Sequence, residues 1–398
     1  MKVLDLTEFY SPRGGGVRRY LAEKAAWVAG RPDLDHVVVV PGERDAVTLW
    51  DRTRVHLVRG PRVPASPGYH FLIAGRRVAR IVRWERPDVI EVGSPYLAPW
   101  LARRAARGTP ARLAAFVHEN PRLYVTRLAW PLCTVLDPLL SRYLETAYRR
   151  FDLIVAASAD NLPQAGGAPT AVAPLGVDAQ LFHPMRHDPT WRSEVGASPG
   201  ERVALYVGRL SAEKGLETVL EAWPEIRRSS GARLVLIGEG HLRSRLERLA
   251  RERPQTITVL PYEADPVRLA RAYASADLFL APCPYETFGL AALEAMASGL
   301  PVAGVRAAGI GRLLADGEGW ARTYTTGDPR DCARAVAGLA MADLAEAGRL
   351  ARDAAVRRYT WDRTFTELFT LYRRLADQAA SQARPSSIAP SAALNRSV

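Results

Sequence analysis

Short continuous apolar runs recur along the chain, and the stretches between them carry helical periodicity. In the first half the runs are Val3–Leu6, Val37–Val40, Val55–Val58, Val89–Val92, Leu113–His118, Leu153–Ala157 and Ala171–Ala173. In the second half they are Val203–Val207, Leu234–Ile237, Ile257–Leu260, Leu278–Ala281 and Pro301–Gly304. Apolar strands separated by helices of ten or more residues predict parallel sheets covered on both faces. Two such series predict an α/β chain with two doubly wound domains. The change-over falls in the polar, proline-containing stretch from His183-Pro184 to Gly200, giving domains at 1–184 and 185–361. A last helix is expected over 362–377, and the Ser-, Ala- and Pro-rich remainder, 378–398, reads as a disordered tail. A length of 398 residues suits two cores of roughly 150–200 residues each.

Charge adds one asymmetry to this picture. The net charge is +12, and Arg52 to Arg112 hold thirteen basic side chains against three acidic ones. Phe71 to Trp84 within that stretch reads as an arginine-rich amphipathic helix. It can pack Ile73, Val78, Ile81 and Val82 on a sheet, or face an anionic membrane surface. No nucleic-acid reading motif accompanies the charge, so a nucleic-acid partner is not expected. Leu123 to Leu144 is strongly apolar, but Arg127, Pro131, Asp137 and Pro138 argue against a spanning helix. Core packing is the default there, and an apolar lip for a lipid acceptor is the alternative. The chain enters a strand pattern at Lys2, which leaves no room for a secretory signal and suggests the cytosol. Cys133, Cys283 and Cys332 lie far apart and form no redox or ligand spacing, and no His/Cys/carboxylate cluster has metal-site spacing.

Candidate chemistry gathers at strand ends. Glu286 falls in the loop after the Leu278–Ala281 run, and Glu294 about two turns along a helix expected from Phe288 to Gly299. Ligands of open α/β sheets bind at the carboxyl ends of strands. The helix N-terminus between the two glutamates suits a phosphate. Glu286 cannot attract an anion, so its expected partner is a hydroxyl-rich group beside that phosphate, as in a sugar nucleotide. Gly14-Gly15-Gly16 forms a turn after the first strand, without the spacing of a dinucleotide fingerprint. Arg209 and Lys214 follow the first strand of the second half, where a guanidinium and an ammonium can neutralise a leaving diphosphate.

Together these motifs resemble the retaining glycosyltransferases of family GT4, which have the GT-B fold. The resemblance covers nearly the whole chain. It includes the glycine turn, His118 at a strand end, Pro174-Leu175-Gly176-Val177-Asp178 with Phe182 and Pro184, and Gly208-Arg209 through Lys214-Gly215. Gly238-Glu239-Gly240, the Glu286/Glu294 pair and Tyr359-Thr360-Trp361 before a last helix complete it. The resemblance implies two Rossmann-like domains across a cleft, with the C-terminal helix crossing back to the first. It places Gly15 and Gly16 against the donor diphosphate or the acceptor, and Arg209 and Lys214 on the diphosphate. Glu286 would hold hydroxyls of the transferred sugar, with Phe288, Gly289 and Leu290 offering backbone N–H groups. Glu294 would accept hydrogen bonds from the ribose, His118 would touch the sugar from the other side, and Tyr262 would meet the base. Arg18, Arg19 and Glu119 are candidates for acceptor contact.

The family chemistry implied is transfer with retained configuration and without a metal or other cofactor, the two cations taking the role of a divalent ion. The expected donor is GDP-mannose, then UDP-glucose or a related sugar. The acceptor is a glycolipid, phosphoinositide or cell-surface polysaccharide, with a soluble sugar phosphate as competitor. A sugar-nucleotide epimerase, a phosphorylase or a non-catalytic binding module of the same architecture are the other classes.

Overall fold

The computed structural model describes residues 1–12, 15–64, 68–125, 130–163 and 167–383. Gly14 and the tail from residue 384 onward lie outside the described residues. Eight strands form the first sheet: β1 (Lys2–Leu6), β2 (Asp35–Gly42), β3 (Ala46–Trp50), β4 (Thr53–Arg59), β5 (Val89–Val92), β6 (Arg112–Val117), β7 (Leu153–Ala156) and β8 (Thr170–Val172). Their order is β3-β4-β2-β1-β5-β6-β7-β8, parallel except for β3 against β4. Six more form the second: β9 (Val203–Val207), β10 (Arg233–Ile237), β11 (Ile257–Leu260), β12 (Leu278–Ala281), β13 (Val302–Val305) and β14 (Ala321–Tyr324). Their order is β11-β10-β9-β12-β13-β14, all parallel. Each sheet reverses its winding once, between β1 and β5 and between β9 and β12. Those reversals open crevices at the carboxyl ends of the strands.

Every expected apolar run contributes a strand, and in the central strands, buried on both faces, successive positions must be apolar. In the first sheet alternate residues serve opposite layers. Val3, Val38 and Val40 face the helices Gly16–Ala29 and Trp361–Ala383, whereas Leu4, Val37 and Val39 face Gly75–Glu85, Ala98–Ala105 and Trp130–Tyr148. The two strands not expected, β3 and β14, are edges of their sheets. An edge strand needs one neighbour only, and β3 leaves Val47 and Leu49 exposed, so neither shows a continuous apolar run.

Three further expectations change. The last helix runs from Trp361 to Ala383, past Asp377 and into the stretch expected to be a disordered tail. The arginine-rich helix spans Gly75–Glu85 and buries Val78, Ala79, Ile81 and Val82, while Ile73 precedes it and is exposed. Among the described side chains of Leu123–Leu144, core packing does not dominate. The segment contributes to the helices Arg122–Val125 and Trp130–Tyr148, and the latter buries Leu144 and Tyr148 but exposes Leu132, Val135, Leu136 and Leu139.

The chain passes between the sheets twice, side by side. Thr364 Oγ1 donates to the carbonyl of Pro174 at 2.7 Å, and Val177 N donates to the carbonyl of Tyr359 at 3.0 Å. Beyond this seam the last helix docks on the first sheet: Trp361 and Phe365 stack, Trp27 lies against Phe365 and Phe369, and Tyr372 Oη reaches Glu91. No helix among the described residues is long and apolar enough to cross a membrane.

Candidate functional site

The loops at the carboxyl ends of both sheets meet. After β9 a tight turn, Ala212–Lys214, ends at Gly215 with φ 73°. A Cβ there would stand 2.2 Å from the carbonyl oxygen of Pro282, so only glycine lets this turn approach the loop after β12. The approach brings Lys214 Nζ to 2.8 Å from Glu286 Oε2. Burial works against the charge of each, but their attraction outweighs it, holding the Glu286 carboxyl below and the Lys214 ammonium above its ordinary range. Arg209 lies on the solvent side, 3.7 Å from Glu213, and reaches Glu286 only through its field.

The helix expected at Phe288 begins at Leu290 and ends at Ala297, so Glu294 stands one turn along it, not two. Gly289, with φ 100°, precedes the first turn, and a Cβ there would strike the Ile310 side chain at 2.4 Å. Phe288 is buried, its ring edge-on to Tyr359. The first-turn amides of such a helix have no intrahelical acceptor, which directs donors and the positive dipole end at the space beside Glu286. Glu294 accepts a hydrogen bond from Tyr273 Oη at 3.1 Å and lies 3.7 Å from Arg19 Nη2. Burial pushes its carboxyl above the ordinary range, Arg19 and Tyr273 draw it back, and Glu23 adds to the rise.

From the first sheet come the glycine turn and His118. Gly15 and Gly16 open the helix Gly16–Ala29, and Gly16 faces Leu290 closely enough that a Cβ would touch its Cδ1 at 3.5 Å. Two helix N-termini from different sheets therefore meet at one place. The His118 ring packs on Tyr20 and Phe116, each with centroids 4.7 Å away, and burial holds its pKa down to about 3, a neutral imidazole. Its carbonyl accepts from Thr287 Oγ1 at 2.9 Å, and Asn161 Nδ2 donates to the carbonyl of Thr287 at 2.6 Å. Arg312 and Asp160 pair across the same junction.

The arrangement thus joins Lys214, Glu286, Leu290, Gly16, Glu294 and the His118 backbone. Tyr262 is exposed beyond the edge strand β11, and Arg18 points away into solvent while its neighbour Arg19 faces Glu294. Glu119 follows His118, is half-buried, and its charge acts on Tyr96. Thr287 and Asn161 escaped the reading of the sequence, since a lone Thr or Asn carries no pattern. Thr287 sits beside Glu286, and that adjacency was its only signal.

A family model described as "Glycosyltransferase Family 4" matches residues 14–181, and one described as "Glycosyl transferases group 1" matches residues 201–341. A GDP-mannose-dependent alpha-(1-6)-phosphatidylinositol dimannoside mannosyltransferase of Mycobacterium tuberculosis is 30% identical over 394 residues, 94% of this chain and 97% of that protein. A GDP-mannose-dependent alpha-mannosyltransferase of Corynebacterium glutamicum is 27% identical over 80% of this chain and 75% of its own. Among solved structures, a sucrose-phosphate synthase from Thermosynechococcus elongatus superposes with a TM-score of 0.75 at 18% identity, covering 95% of this chain and all of its own.

Proposed function

For a chain that belongs to glycosyltransferase family 4 and has the GT-B fold, we propose transfer of mannose from GDP-mannose to a hydroxyl of a membrane glycolipid, with retained configuration. The observation that carries this reading is the Lys214–Glu286 pair beside the joined N-termini at Gly16 and Leu290. Cation, helix amides and dipoles converge where a diphosphate would leave, and a carboxylate stands beside them for sugar hydroxyls. The nucleoside diphosphate departs with its charge spread over Lys214, Arg209 and the helix amides, which lowers the barrier. The leaving phosphate takes the acceptor proton as the acceptor hydroxyl attacks the same face. Glu286 positions the sugar and is not a nucleophile, and its ionised state suits the acceptance of hydrogen bonds from hydroxyls. The neutral His118 contacts the sugar by hydrogen bonding. No metal is required, since the two cations carry the neutralising role.

The glycolipid acceptor is favoured by the activity for which the mycobacterial relative is named. It is favoured as well by the outer face of the first sheet, where Leu132, Val135 and Leu139 stand exposed with Trp84 and the arginines Arg76, Arg80 and Arg83. Such a face fits an anionic membrane, on its cytoplasmic side, with the aliphatic groups entering and the guanidiniums at the headgroups. The test supplies GDP-mannose or UDP-glucose with vesicles holding phosphatidylinositol mannosides, or with inositol phosphate in solution. Label moving from GDP-mannose into extractable lipid, with α-configuration by NMR, is the expected result. Transfer only to the soluble acceptor would replace the lipid, and transfer only from UDP-glucose would replace the donor.

A further inference from the structure

The helices Gly16–Ala29 and Leu290–Ala297 belong to different sheets yet run side by side from their N-termini. Gly16 faces Leu290, and about one turn further Arg19 faces Glu294. Arg19 is held on three sides: Nη2 lies 3.7 Å from Glu294 Oε1, Nε lies 3.2 Å from Glu23 Oε1, and the guanidinium stands 5.2 Å from the centre of the Phe182 ring. Phe182 is part of the segment between the sheets, so this one side chain touches the first sheet's helix, the connection and the second sheet's helix.

The groups around Glu294 are few. Arg19 and Glu23 come from the Gly16–Ala29 helix, and Tyr273 from the Pro266–Ser275 helix. The strands β12 and β13 carry no titratable side chain. On the Leu344–Arg358 helix, Arg352 donates to the carbonyls of Ala297, Phe182 and Ala179. Among the described residues Arg19 is therefore the cation within ion-pair distance of Glu294, and it is supplied by the opposite half of the molecule.

We propose that Arg19 is a positioning residue for the donor: by standing beside Glu294 it keeps that carboxylate ionised and ready to accept hydrogen bonds from two ribose hydroxyls, and it can do so only while the two halves are together. This rests on the reading of Glu294 as the ribose ligand. A carboxylate accepts two charge-assisted hydrogen bonds from a vicinal diol, whereas a protonated acid has given up part of that capacity. Buried without its cation, Glu294 would take up a proton at higher pH. Donor affinity and closure are then coupled, because whatever brings Arg19 to Glu294 also strengthens the ribose site, and ribose binding favours the arrangement that holds Arg19 there.

The test is calorimetric titration of the full chain with GDP, and UDP in parallel, from pH 5 to pH 8. Affinities are expressed relative to Glu294→Gln, so that titration of the diphosphate itself cancels. In the wild type the advantage over Glu294→Gln should be lost as pH falls through the raised pKa of Glu294. In Arg19→Gln the same loss should occur at higher pH, and Arg19→Lys should restore the wild-type profile. If Arg19→Gln weakens binding by one factor at every pH, Arg19 is merely structural and the proposal is overturned. If the wild type binds 2′,3′-dideoxy-GDP as tightly as GDP, the ribose role of Glu294 fails first, whatever Arg19→Gln does.

Discussion

Thr287 Oγ1 donates a hydrogen bond to the carbonyl of His118 at 2.9 Å, tying the loop after β12 to the loop after β6 of the other sheet. The loop that carries Glu286 is thereby registered against the opposite wall of the site. With the Asn161–Thr287 and Arg312–Asp160 contacts, this hydroxyl helps to set where Glu286 stands relative to His118.

Thr287→Val keeps the shape of the side chain and removes that bond. A neutral hydrogen bond contributes about 0.5–1.5 kcal/mol net, a factor of roughly 2–10 in the joined arrangement. Steady-state transfer should show kcat reduced by that order with the affinity for GDP little altered. An unchanged kcat would mean that the junction does not depend on this contact.

His118 should remain neutral through the working range, because burial holds its pKa down to about 3. Its ring resonances in NMR spectra should stay fixed from pH 4.5 to pH 8. A titration near the ordinary histidine value of 6.5 would contradict its assignment as an uncharged hydrogen-bonding group.

Beneath the site, Glu91 accepts from Tyr20 Oη at 2.9 Å and Tyr372 Oη at 2.5 Å, and pairs with Lys24, which also holds Asp5 at 2.8 Å. One cation faces two buried carboxylates. Burial and the neighbouring Asp5 push Glu91 up to about 7 from 4.5, while burial opposes but Lys24 and His36 prevail at Asp5. The folded chain thus keeps a proton on Glu91 that the unfolded chain releases above about pH 4.5. The stability from this group is full below that pH and is lost as pH rises through about 7. Thermal melting should show the wild-type midpoint falling across this window relative to Glu91→Gln, and parallel curves would contradict the raised pKa of Glu91. Tyr372→Phe should destabilise by about 1–3 kcal/mol, since this bond anchors the last helix to β5.

The outer face gives a separate expectation. Trp84 is 81% exposed, and Val135 and Leu139 are each 59% exposed. Sedimentation with anionic liposomes should retain the protein at low salt and release part of it at higher salt, as screening shortens the reach of the arginines. Replacing Val135 and Leu139 with Ser should weaken retention at both salt levels. Absence of binding at low salt would refute the membrane face.

Most of the fold could be read in the sequence because parallel strands buried on both sides leave an unbroken apolar signature, from Val37–Val40 to Leu278–Ala281. β3 and β14 could not, since Ala46–Trp50 and Ala321–Tyr324 interleave apolar with polar or exposed positions, whereas the edge strand β11 still carries an apolar run. At the site, Lys214 and Glu286 were legible as residues at strand ends, and their 2.8 Å contact follows from the neighbouring order of β9 and β12. What the sequence hid was the pairing across the junction. Arg19 and its neighbour Arg18 look alike in one dimension, and only the pitch of the helix decides which meets Glu294. Likewise the apolar stretch around Leu139 reads as core by composition, yet the Trp130–Tyr148 helix has only one of its sides covered.

The central claim is that Lys214 and its surroundings form a seat for a nucleoside diphosphate. Titration calorimetry of the wild type and of Lys214→Met with GDP tests it most directly. Loss of a charge-assisted contact contributes about 1.5–3 kcal/mol, so affinity should fall by roughly 10- to 150-fold while the fold is kept. Equal affinity of the two proteins for GDP would contradict the account.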